Sequence, residues 1–180
     1  FKDGLGAMQS VNRVMQGDML PSTTAIRART TGSAAGLQNV GLVYSKGNAV
    51  LATFENYLGA STFQKGVRAY LKAHEWGNAT ASDLWKALDE ASGQNVSAAM
   101  ATFTDQPGVP LVHVTPVEGG LRLTQSRCTP WGVSQPPVRW RIPIALRWSD
   151  GNTTRVDRVM LTDESHVVKL PGKPVWVMPN

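Results

Sequence analysis

The sequence predicts an α+β chain in two successive parts: an all-helical N-terminal part followed by a small antiparallel β-sandwich. Three observations predict it. Apolar residues recur at helical spacing through the first 110 residues, Pro107-Gly108-Val109-Pro110 then stops helix formation, and beyond it the apolar period changes to two. The expected domains are therefore 1–110 and 111–180. With 42% hydrophobic and only 17% charged residues, the 180-residue chain can bury a sizeable core and does not have the composition of a disordered one.

Each helix has its own marks. Leu5, Met8, Val11, Met15 and Met19 form the first stripe, which Pro21-Ser22 breaks. Thr23 to Asn39 is polar, dotted with glycine and without a period, as expected of a surface loop. Val50, Leu51, Phe54 and Leu58 mark the next helix, ended by Gly59. Ser61 with Gln64 fits a capping box for a helix carrying Phe63, Val67, Tyr70, Leu71 and His74, and Thr80 with Asp83 repeats it before Leu84, Leu88 and Ala91. A weaker stripe runs Val96, Met100, Phe103.

Strands follow. Every even position from Val138 to Trp148 is apolar, which predicts one long strand with one buried face, and Pro143 places it at a sheet edge or a bulge. Ser149-Asp150-Gly151-Asn152 reads as a hairpin turn into Thr154–Leu161. Glu118-Gly119-Gly120 separates Leu111–Val117 from Leu121–Gln125, and Pro171-Gly172-Lys173 lies between Val167–Leu170 and Val175–Met178.

Composition and motif searches narrow the chemistry by exclusion. The net charge of +5 divides as nine Lys/Arg against eight Asp/Glu before residue 111 and nine against five after it, with no basic block, so no nucleic-acid partner is expected. No run of about eighteen apolar residues occurs, and no membrane partner is expected. The lone Cys128 excludes an intrachain disulfide and a cysteine-based zinc cluster. His74-Glu75 begins an H-E-x-x-H metal helix, but Asn78 stands where the second histidine is needed. His74 reads instead as a partly buried helix-end residue, and His113 and His166 lie in separate strands. Neither G-x-S-x-G nor S-x-x-K occurs, and Gly4-Leu5-Gly6 is followed by Gln9 where a dinucleotide fingerprint needs glycine. The chain carries no complete active site of its own. It begins at Phe1 with no signal-peptide pattern and reads as a piece of something longer.

Several short motifs nevertheless occur in a fixed order. They are Asp18-Met19-Leu20-Pro21-Ser22 with Ile26-Arg27, Tyr44-Ser45-Lys46-Gly47, Phe63-Gln64-Lys65-Gly66-Val67-Arg68-Ala69-Tyr70-Leu71, and Asn78-Ala79-Thr80 with Asp83-Leu84-Trp85. Gln106-Pro107-Gly108-Val109-Pro110-Leu111-Val112 and Leu121-Arg122-Leu123-Thr124-Gln125-Ser126-Arg127 complete the series. Together they resemble, in order and spacing, zinc aminopeptidases of the aminopeptidase N type, the gluzincins that also include leukotriene hydrolase.

The resemblance implies a division of labour. The chain would be the helical second half of a thermolysin-like catalytic domain joined to a β-sandwich domain, ending near the close of that domain. The family's zinc helix and its G-x-M-E-N loop would lie upstream, so zinc would be a cofactor of the full-length parent, with none bound by this chain. The partners implied are a peptide substrate and the missing upstream and C-terminal domains of the same polypeptide. One catalytic residue carries over: Tyr44, whose hydroxyl in this family faces the oxyanion that develops on the scissile carbonyl. A phenol suits the task, because it ordinarily stays protonated at neutral pH and remains a hydrogen-bond donor. Lys46 and Gly47 are expected to shape the start of the following helix. Arg139, Arg141 and Arg147 are expected to share one strand face, either solvated or in contact with a neighbouring domain. The alternative function is a non-catalytic scaffold or interaction module derived from the same family.

Overall fold

A computed structural model describes residues 2–27 and 40–180, so most of the expected Thr23–Asn39 loop lies outside the described residues. Among the described residues there are five helices, α1 (Lys2–Asp18), α2 (Val40–Leu58), α3 (Ala60–Ala73), α4 (Ala81–Ser92) and α5 (Val96–Thr104). Six strands follow: β1 (Val109–Val117), β2 (Gly120–Cys128), β3 (Ile142–Ser149), β4 (Thr154–Leu161), β5 (Ser165–Lys169) and β6 (Trp176–Pro179). The change from helix to strand falls at the Asp105–Gly108 turn.

Local chemistry accounts for most helix ends. The Thr80 backbone N–H and hydroxyl both donate to Asp83 Oδ2 at 2.7 Å, the capping box expected at the start of α4. Gly93, in the left-handed conformation, closes that helix by donating to the Asp89 carbonyl. The box expected at Ser61 does not form. α3 begins at Ala60, so Ser61 already lies inside the first turn, and Gly59 by itself separates two consecutive helices. Its N–H donates to the Glu55 carbonyl, and its own carbonyl accepts from Phe63. His74 is the half-buried C-cap of α3, with its ring 5.5 Å from that of Tyr70.

The larger correction concerns α2. It starts at Val40, ten residues before the stripe that predicted it, so Tyr44-Ser45-Lys46-Gly47 lies within the helix rather than ahead of it. The first turns escape the sequence pattern because Val40, Val43 and Tyr44 point outward, and the inward position there is held by a lysine.

Two antiparallel sheets of three strands make up the sandwich, in the orders β1-β2-β5 and β4-β3-β6. Registers run Val109↔Cys128 to Val117↔Gly120, Gly120↔Lys169 to Thr124↔Ser165, Ile142↔Leu161 to Ser149↔Thr154, and Leu146↔Pro179 to Ser149↔Trp176. The long strand expected over Val138–Trp148 is shorter: Val138 to Arg141 are not in it, and Arg139 and Arg141 therefore do not share a strand face with Arg147. Nor is one face alone buried, since Pro143, Ala145 and Ser149 are covered as well and only Arg147 of that side is exposed. The edge position expected from Pro143 is not what is found, because β3 is the central strand of its sheet; the proline is tolerated because it lies beyond the stretch of β3 that β6 covers. β6 reaches only as far as Leu146, and past it the Asn180 amide serves the strand instead, donating to the Pro143 carbonyl and accepting from Ala145 N–H.

One apolar core joins the helices to the sandwich. Val50 and Phe54 of α2, Leu88 of α4 and Phe103 of α5 are continuous with Leu123 of β2 and Ile144 of β3. Phe54 and Phe103 meet edge to face, ring centroids 6.1 Å apart. Gly66 of α3 lies close against α4: a Cβ there would stand 2.8 Å from a methyl of Leu88 and 3.2 Å from its Cα.

Candidate functional site

Tyr44 lies on the outer face of α2 with 75% of its surface exposed. Val40 and Val43 are exposed beside it. The second tyrosine of the helix, Tyr57, differs: it is buried, and burial raises its phenol above the usual value against the opposing pull of Arg158. Of the two phenols on α2, Tyr44 is the one open to a reacting group.

Two residues on, about 200° around the helix, Lys46 points inward. Its ammonium lies 2.8 Å from Asp18 Oδ2, an ion pair without hydrogen-bond alignment, and donates to the carbonyls of Gly108 at 3.2 Å and Gln106 at 3.5 Å. Asp18 is 1% exposed. Its other oxygen accepts from Thr23 Oγ1 at 2.7 Å and from the Gly108 N–H at 3.1 Å. Gly108 is held by both charges at once. It sits at φ +101, and a Cβ would stand 2.9 Å from Arg127 Nε. Truncating one member of a buried pair leaves an uncompensated charge, at about 3–5 kcal/mol, whereas the intact pair is worth little against an apolar replacement.

The pair forms part of the wall of a cavity of about 370 Å³ beneath α2, lined also by Val14, Met15, Val50, Phe103 and Ile142. Tyr44 is not part of its wall.

The remaining motif residues also hold elements together. Arg27 donates its backbone N–H to the Thr104 carbonyl, places its guanidinium 4.9 Å from the Trp85 ring and meets Asp105 at 3.4 Å. Gln106 donates to the carbonyls of Thr102 and Arg139. Gln125 bonds both backbone groups of Trp140.

The three histidines do not converge: His74 caps α3, while His113 of β1 and His166 of β5 lie on strands either side of β2. Among the described residues no three His, Cys, Asp or Glu side chains gather where they could hold a metal ion. Among them, too, no helix is long and apolar enough to cross a membrane. Sequence reasoning missed the Asp18–Lys46 pair. The available signal was the row Lys46, Val50, Phe54, which places a lysine one turn along a core stripe.

Residues 3–103 match the model of the peptidase family M1 domain, more than half of the chain. The chain belongs to peptidase family M1. Among M1 relatives, Aminopeptidase 2 of Candida albicans is 38% identical over 133 residues, which cover 71% of this chain and 14% of that protein. Aminopeptidase M1 of Arabidopsis thaliana is 41% identical over 103 residues, 57% of this chain and 12% of the relative. Glutamyl aminopeptidase of Mus musculus is 34% identical over 158 residues, 83% of this chain and 16% of the relative. The chain thus spans between 12% and 16% of the length of these M1 proteins. The family is the one that the ordered motifs resemble.

Proposed function

We propose that this chain is the part of a zinc-dependent aminopeptidase that presents a transition-state hydrogen-bond donor, the intact polypeptide removing N-terminal residues from peptides. On this reading residues 1–110 are the helical second half of a thermolysin-like peptidase domain and residues 111–180 its β-sandwich neighbour. The reading is carried by one observation, the position of Tyr44: its phenol stands free on a helix whose opposite face is held by a buried ion pair. M1 membership and the ordered motifs support it further.

The tyrosine's task is electrostatic. As the scissile carbonyl of a peptide is attacked, charge gathers on its oxygen, and a donor already in place there stabilises the transition state more than the ground state, by about 3–4 kcal/mol. Zinc, when bound by other parts of the intact polypeptide, supplies Lewis-acid polarisation of the carbonyl or of water. This chain contributes the phenol and the frame that orients it. Alone, it is expected to hold no stoichiometric zinc and to cleave no aminoacyl substrate.

The test is Tyr44→Phe in the intact polypeptide. Loss of the hydroxyl is expected to lower kcat by roughly 100-fold or more while KM changes little. An unaltered kcat would remove Tyr44 from the chemistry. Metal analysis of the 180-residue chain provides a second check. One tightly held equivalent of zinc would overturn the division of labour.

A further inference from the structure

Three segments that carry motifs meet at the Asp18–Lys46 pair, and the chemistry assigned to Tyr44 does not use it. We propose that this pair is a positioning device: it fixes the rotation and axial register of α2 against the α5–β1 turn and so sets where the Tyr44 hydroxyl points. The proposal rests on the reading of Tyr44 given above.

Geometry makes the pair a suitable reference. Lys46 is two residues from Tyr44 and faces the opposite way, so whatever holds the ammonium holds the phenol's direction. The ammonium is held from three sides, by Asp18 Oδ2, the Gly108 carbonyl and the Gln106 carbonyl. Asp18 is itself fixed by Thr23 and the Gly108 N–H. Gly108 is tied to both members of the pair, its carbonyl accepting from the ammonium and its N–H donating to Asp18.

The need for directed bonds follows from the cavity. Close packing would ordinarily set a helix's rotation. Beneath this part of α2 there is instead a cavity of about 370 Å³ whose wall includes Asp18 and Lys46 themselves, so on that side close packing does not fix the helix. A tyrosine hydroxyl stands about 9 Å from the axis of its helix, so a roll of about 10° carries it about 1.5 Å. Misplacement by about 1 Å can cost a reaction about 100-fold. An apolar residue at position 46 could fill space but could not hold that angle.

The experiment measures kcat and KM of the intact polypeptide carrying Lys46→Met or Asp18→Asn, each alone and combined with Tyr44→Phe. Asp18→Asn keeps the side chain's size and an acceptor oxygen, and it serves as the reporter if Lys46→Met does not fold. Each single change is expected to lower kcat roughly 10- to 100-fold with KM within about two-fold. In the Tyr44→Phe background the further loss is expected to stay under about two-fold, because the pair acts through that hydroxyl. Undiminished kcat in a folded single variant, or an equal loss in both backgrounds, overturns the proposal while leaving the Tyr44 reading in place. An unchanged kcat in Tyr44→Phe alone overturns both.

Discussion

Gln125→Leu tests the energetic account of the sandwich. Gln125 lies on β2, and its side chain replaces a missing neighbouring strand for the irregular segment before β3. Its Oε1 accepts from the Trp140 N–H at 2.9 Å, and its Nε2 donates to the carbonyls of Trp140 at 3.0 Å and Asp163 at 2.8 Å. Trp140 is fully buried, so leucine, of similar volume, would leave two of its backbone groups without these partners inside the core. At about 1–3 kcal/mol for each buried group, with less for the part-buried Asp163 carbonyl, the expected loss is about 4 kcal/mol. For a chain of this length that is a fall in Tm of about 10 °C. Urea unfolding followed by tryptophan fluorescence reads it directly, because Trp140 and Trp148 are both buried reporters. The midpoint should move and the slope should not. Gln125→Glu should cost at least as much, since a carboxylate would face two carbonyls with nothing to donate. A loss under about 1 kcal/mol for the leucine variant would refute the reasoning, and with it the claim that this side chain stands in for a strand.

Other expectations are more local. Phe54 is fully buried against the edge-to-face ring of Phe103, and Phe54→Ala is expected to cost about 3–5 kcal/mol in the same denaturation assay. A loss below about 2 kcal/mol would mean that the space around α2 collapses onto the gap. Asp150 accepts backbone N–H bonds from Thr153 and Asn152, which hold its carboxyl down at about 2. Folding therefore favours its ionised form, and that stabilisation is complete above an unfolded carboxylate's value of about 4. It is lost as pH falls from there through about 2. Asp150→Asn should accordingly flatten the acid limb of a Tm–pH profile over that window, and superimposable limbs would count against it.

Much of the fold was legible because it rests on short-range chemistry. Thr80 with Asp83 acts within a few residues and starts α4 where the sequence places it, and the Pro107–Pro110 stretch falls where helix gives way to strand. The hairpin turn at Asp150 is local as well, held by that residue's own carboxylate. The ordered motifs carried the family, and so drew attention to Tyr44, without help from coordinates. What those motifs do was not legible. Asp18 and Lys46 are separated by a stretch with no period, and Gly108 lies far beyond both, so no spacing rule connects them; only the folded chain brings the charges within 2.8 Å. The start of α2 was hidden for the same reason, since its first turns leave their apolar residues exposed and bury a lysine.

Strand pairing shows the boundary most clearly. Pro171-Gly172-Lys173 looks like the other turns, yet β5 pairs with β2 while β6 pairs with β3, so the segment crosses between sheets rather than closing a hairpin. Val138 to Arg141 keep a strand's alternation but leave the ladder, because the Gln125 side chain takes the backbone bonds of Trp140. Sequence determined the family through its ordered motifs, and the α4 cap and the Asp150 turn through interactions that span a few residues. The tertiary structure decided which distant charges meet, which sheet each strand joins and which tyrosine of α2 stays free, because those outcomes depend on burial shared between elements far apart in the chain.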